Sequence, residues 1–219
     1  TDLIYGIPNQ SMKEWKSNIA KAIDLGVNHI SAYCLTVEAK TALAHRVDKG
    51  LDQEKSYEVI EKEFHLLQDY LKRAGFRQYE LSNFARPGFE AVHNTNYWSS
   101  KPYLGIGPAA HSYDGNNKRR WNVANNIKYI KYLSENTYWK MEHISLSERT
   151  NEIIMTALRT ADGLRKNRLS SDYWTQLEQN IAEMPKHLRS MLLINKEFIR
   201  IDSKYWLMSD AVIRELMIA

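Results

Sequence analysis

Between Tyr79 and Tyr113 the chain reads YELSNFARPGFEAVHNTNYWSSKPYLGIGPAAHSY, the stretch whose side chains are best suited to chemistry. The pair His93-Asn94 is followed by Tyr97-Trp98, and His111 closes a loop punctuated by Gly105, Gly107 and Pro108. The run lacks helical periodicity, yet disordered segments lack residues such as Phe84, Tyr97, Trp98, Tyr103, Leu104 and Ile106. An ordered loop region lining a site is therefore expected. Other chemistry is limited by composition. Cys34 is the single cysteine, so the chain alone forms no disulfide and holds no Cys-based cluster. The remaining histidines (29, 45, 65, 143 and 187) show no paired metal spacing on one helix face. Lys118-Arg119-Arg120 can fork onto carboxylates or lie in a solvated loop.

The elements that must position these residues come from 219 residues, 43% of them hydrophobic, enough for one large domain or two smaller ones. The net charge of +4 arises from 30 Lys and Arg set among 26 Asp and Glu. So diffuse an excess indicates a mixed, solvated surface, and no nucleic-acid partner is expected. No apolar run reaches the roughly 18 residues of a membrane span, and no signal peptide is visible, so a cytoplasmic location is expected.

The chain opens at Thr1 directly into a strand, Asp2 to Tyr5, which is what the C-terminal part of a longer protein would show. Ser11 and Glu14 have capping-box spacing, and Trp15, Ile19, Ala22 and Ile23 predict a helix closed by Gly26. His29 to Val37 predicts a second strand. A helix follows from about Gln53 to Ala74, with Ile60, Phe64, Leu67 and Leu71 on one face, then a third strand from Phe76 to Leu81. Alternation of this kind predicts βαβ units and a parallel sheet, with ligands at the strand C-terminal ends. A helix over about Asn122 to Asn136 closes a first domain, 1–142.

The second domain, 143–219, is expected to be a winged-helix-like α+β module. Its helices are predicted at Glu148 to Arg159, Asn167 to Ile181 and Pro185 to Leu193. Strands are predicted at Phe198 to Ile201 and Tyr205 to Met208, before a last helix beginning at Ser209.

Five ordered motifs then carry a resemblance: Asp2-Leu3-Ile4-Tyr5-Gly6-Ile7-Pro8, His29-Ile30-Ser31-Ala32-Tyr33, Tyr79-Glu80-Leu81-Ser82-Asn83-Phe84-Ala85, His93-Asn94-x-x-Tyr97-Trp98 and Tyr103-Leu104-Gly105-Ile106-Gly107-Pro108-x-Ala110-His111-Ser112. Together they resemble the oxygen-independent coproporphyrinogen III oxidase-like radical SAM family, and most of all its haem chaperone branch. The resemblance implies an α/β fold, the C-terminal portion of a partial (β/α) radical SAM barrel followed by the winged-helix-like domain.

It also implies a haem or porphyrin ligand passed to a haem-accepting protein, which can be membrane-associated. The alternative it carries is oxidative decarboxylation of coproporphyrinogen III propionates in porphyrin biosynthesis. In the family a CxxxCxxC loop holds a [4Fe-4S] cluster that binds S-adenosylmethionine. This chain lacks that loop, so it is expected to carry no radical chemistry alone.

By resemblance, Asp2, Cys34 and His111 fall near S-adenosylmethionine. His93 falls on haem iron, with Tyr97 and Trp98 against the porphyrin, or else the His93-Asn94 pair beside the two aromatics anchors a hydrogen-bonded loop. Asn9 and Lys40 stand where the family carries glycines, and the second change is expected to alter a loop at the ligand end. The free edge of the opening strand is expected to promote self-association.

Overall fold

In the computed structural model, which describes residues 1–218, the chain divides into two compact units, Thr1–Ala91 and Val92–Ala219. Sequence composition points to a division at 142/143, but a strand spans that point.

The first unit is built by local signals. Strand β1 (Asp2–Tyr5) leads through Gly6 into α1 (Met12–Asp24), whose start is a capping box. The Glu14 amide donates to Ser11 Oγ at 3.2 Å, and the Ser11 amide donates to Glu14 Oε2 at 2.7 Å. Next come β2 (His29–Cys34), the short helix α2 (Ala42–Asp48) and the long helix α3 (Tyr57–Arg73). Trp15, Ile19 and Ala22 of α1 and Phe64, Leu67 and Leu71 of α3 are buried, with Tyr5 against both Trp15 and Phe64. These apolar faces cover the sheet and supply the main driving force for the unit.

Strands β3 (Arg77–Glu80) and β4 (Asn83–Ala85) complete a sheet of order β1-β2-β4-β3. Strands β1 and β2 are parallel, as expected, but β4 runs antiparallel between β2 and β3. The turn at Leu81-Ser82 folds β4 back, and the Ala32 amide donates to the Ser82 carbonyl at 2.7 Å. A three-residue strand is too short to show alternation, which is why periodicity misses it.

Asn9 (φ 62°) and Lys40 (φ 66°) both adopt the left-handed conformation that glycine favours. The loop after β2 thus keeps its tight turn without a glycine, and Thr41 still caps α2 by accepting from the Ala44 amide at 3.1 Å.

In the second unit, α4 (Val92–Trp98) stands where a loop is expected, and His93 and Tyr97 share one face of it. Strands β5 (His111–Tyr113), β6 (Lys118–Asn122) and β7 (Trp139–His143) form an antiparallel sheet of order β5-β6-β7, with α5 (Asn126–Leu133) between the last two. The helix expected from Asn122 is shorter because Asn122 ends β6 and Asn125 supplies the cap. Lys118-Arg119-Arg120 is therefore strand rather than loop.

The C-terminal part holds α6 (Leu146–Ala157), β8 (Leu164–Arg165), α7 (Ser171–Glu183), α8 (Lys186–Arg189), β9 (Leu192–Ile194), β10 (Phe198–Ile201) and α9 (Ser209–Glu215). A three-stranded antiparallel sheet, β8-β10-β9, makes the wing. The expected strand Tyr205 to Met208 is instead a 3₁₀ turn over Ser203–Met208, in which the Lys204 amide donates to Asp202. The expected helix from Pro185 stops at Arg189 because Leu192 to Ile194 pairs with β10.

Candidate functional site

The C-terminal ends of β1 and β2 come together in register, with Tyr5 opposite Cys34. Gly6 follows at φ 76°, and a Cβ there would lie 3.3 Å from Cys34 Sγ, so only glycine closes this turn without displacing the thiol. The Gly6 amide donates to Glu63 Oε2 at 2.8 Å, and Lys55 pairs with the other oxygen of the same carboxylate. Glu63 is wholly buried on α3. Burial pushes the Cys34 thiol up, and the Glu63 charge pushes it further. Burial also pushes the Tyr5 phenol up, helped by Cys34 and Glu63. The Glu63 carboxylate is thus held by Gly6 and Lys55 within the fold.

Asp2 is exposed at the opposite end of β1, opposite Ser31. Three residues of strand separate it from Tyr5, roughly 10 Å at the usual rise. The structure does not bring Asp2 and Cys34 together.

Helix α4 presents a different surface. His93 is exposed, and its ring meets Tyr97 edge-on at 4.8 Å, one helical turn away. Tyr97, 43% exposed, meets Tyr103 at 4.7 Å, and Tyr103 lies 6.1 Å from Tyr113. An aromatic ladder with an imidazole at its open end results. Trp98 is half-buried, and its indole nitrogen is buried with no hydrogen-bond partner among the described residues. Edge-on contacts of this kind are a favourable arrangement between aromatic rings.

His111 lies on β5 and stacks on Trp121 across the sheet at 6.0 Å. The glycine-rich loop before it is pinned from several sides. The Gly105 amide donates to Ser112 Oγ at 2.9 Å, and Asn122 Nδ2 donates to the Gly107 carbonyl at 2.8 Å. A Cβ on Gly105 would fall 2.1 Å from the His111 carbonyl oxygen. The loop motif therefore has a packing reason for its glycine.

Arg119 donates to Glu142 at 3.3 Å and Glu152 at 2.8 Å, which removes it from the cations free to meet a ligand carboxylate. Among the described residues, no cluster of three or more His, Cys, Asp or Glu could hold a metal ion. Among the described residues no helix is long and apolar enough to cross a membrane. Glu63 and Lys55 escape sequence reasoning, although Ile60, Glu63 and Leu67 fall at helical spacing on the buried face of α3.

No family model matches the chain. By sequence it is 33% identical over 218 residues to the heme chaperone HemW of Mycobacterium tuberculosis, an alignment covering 99% of this chain and 54% of that protein. It is 32% identical over 196 residues to HemW of Bacillus subtilis, covering 89% and 52% respectively. In fold it matches coproporphyrinogen III oxidase (HemN) of Escherichia coli, a radical SAM enzyme, with a TM-score of 0.77 and 18% identity, over 99% of this chain and 54% of that one. The chain spans about half the length of the curated relatives it matches. The chain is thus similar in sequence to HemW proteins and in fold to coproporphyrinogen III oxidase, over about half of each.

Proposed function

We propose that this chain carries the haem-contacting portion of a cytoplasmic haem chaperone, with His93 as an iron ligand and Tyr97 and Trp98 against the porphyrin. The observation that carries the reading is the exposed His93 imidazole at the open end of the Tyr97–Tyr103 ladder. A neutral imidazole donates a lone pair to haem iron, and neighbouring aromatic faces bury the macrocycle. Haem is cargo here: it is received, shielded and passed to an acceptor protein.

The [4Fe-4S] cluster of the family does not fit this chain. Its one cysteine is half-buried with a raised thiol pKa, and a cluster needs several accessible thiolates. The test of the haem reading is a haemin titration read in the Soret region, on the chain and on His93→Ala. Saturable binding with a shifted band that the variant loses supports His93 as ligand. Equal binding by both proteins sinks it.

A further inference from the structure

Arg168 lies in the 3₁₀ turn Lys166–Arg168 and is half-buried. Among the described residues no carboxylate lies within ion-pairing distance of it. Its hydrogen bond is to a neutral hydroxyl: Nη2 donates to Ser100 Oγ at 3.4 Å. A guanidinium removed from water is ordinarily matched by an anion. Burial here pushes the arginine pKa down, with no neighbouring carboxylate to hold it up.

The position of Ser100 gives this cation a meaning. Ser100 sits just past the last turn of α4 in the left-handed conformation (φ 54°), its amide donating to the Tyr97 carbonyl at 3.0 Å. His93 and Tyr97 share one face of α4, and Ser100 follows two residues after the helix ends at Trp98. The imidazole is thus on α4, and the unmatched guanidinium meets the chain just beyond that helix, at the third residue after Tyr97. Tyr97 lies between them.

We infer that Arg168, held by Ser100, is a carboxylate anchor that receives a propionate of the porphyrin lying along α4. The inference rests on the haem reading above and adds orientation to it: iron toward His93, an acid edge toward Arg168. Arg119 and Arg159 cannot substitute, since the first is paired with Glu142 and Glu152 and the second with Asp210.

The test titrates haemin, metal-free protoporphyrin IX and the dimethyl ester of each into the chain and its Arg168→Gln and Arg168→Lys variants. Melting curves check that each variant folds. Expected is a loss of about tenfold or more for the free acids in Arg168→Gln, the scale of one charge-assisted hydrogen-bonded contact. Arg168→Lys retains part of that affinity. The esters bind the unaltered chain as weakly as the acids bind Arg168→Gln, and the variant leaves them unchanged. Equal binding of acid and ester to the unaltered chain, or unchanged acid binding by Arg168→Gln, overturns the anchor. Failure of the haem reading looks different: haemin and metal-free porphyrin then bind alike and His93→Ala is silent, while the acid–ester difference persists. Absence of binding by every porphyrin sinks both.

Discussion

Replacing Lys55 by Met removes the cation that meets Glu63 and leaves a carboxylate with a side-chain exposure of 1% inside the first unit. Removing one partner of a buried pair costs about 3–5 kcal/mol. The Gly6 amide still donates to the carboxylate, and one such bond returns about 1 kcal/mol, so about 2–4 kcal/mol is expected. Glu63→Gln should cost less, about 1–2 kcal/mol: its amide oxygen still accepts from Gly6, and the Lys55 stem can carry its ammonium to water. The double variant should show a coupling energy of about 1–3 kcal/mol. Urea unfolding followed by tryptophan fluorescence measures all three, because Trp15 donates its indole N–H to the Glu63 carbonyl at 3.0 Å. An unchanged m-value is required for the comparison. A Lys55→Met cost under about 1 kcal/mol, or strict additivity of the two changes, would refute the buried-pair argument.

Gly105→Ala should lose about 3 kcal/mol, since its methyl carbon meets backbone 2.1 Å away rather than a flexible side chain; an unchanged melting temperature would contradict the packing described. Glu80 is buried, and that burial pushes its carboxyl pKa up. Its folded pKa exceeds its unfolded one, so its contribution is full below about pH 4.3 and is lost as pH rises through the folded value. Glu80→Gln should therefore gain on the unaltered chain between pH 4 and pH 7, and urea midpoints that keep a constant difference would count against it. Cys34, with its raised thiol pKa, should alkylate with iodoacetamide at pH 8 more slowly than a free thiol; an equal or faster rate would show that the strand end is open.

Where the signal is local, the sequence reads through to structure. Ser11-x-x-Glu14 and Ser145-x-x-Glu148 both close as capping boxes, because each needs only a serine, a glutamate and four residues of chain. Gly26 takes positive φ at the helix end it was expected to close. Misreadings occur where a neighbour in space decides. Tyr205 to Met208 is a four-residue apolar run, for which periodicity cannot separate strand from helix. Lys118-Arg119-Arg120 has little strand propensity and becomes strand because β5 and β7 pair with it on both sides. The candidate site divides in the same way. His93 and Tyr97 were legible as a pair within one motif. Arg168 meets Ser100 from 68 residues away, a proximity that spacing cannot encode.

The difference between the thiol and the imidazole follows from what surrounds each. Cys34 faces a neighbouring carboxylate and a closed turn, and both disfavour the thiolate that a metal would need. His93 has water on one side and the edge of Tyr97 on the other, a setting in which a lone pair can be offered without first breaking an ion pair. Freeing Glu63 from Lys55 and Gly6, by contrast, would cost part of the stability of the unit. A ligand that needs a soft, ready donor from this chain is therefore best served by α4. The strand ends of the first unit serve to hold the Gly6 turn and the Cys34 backbone in place.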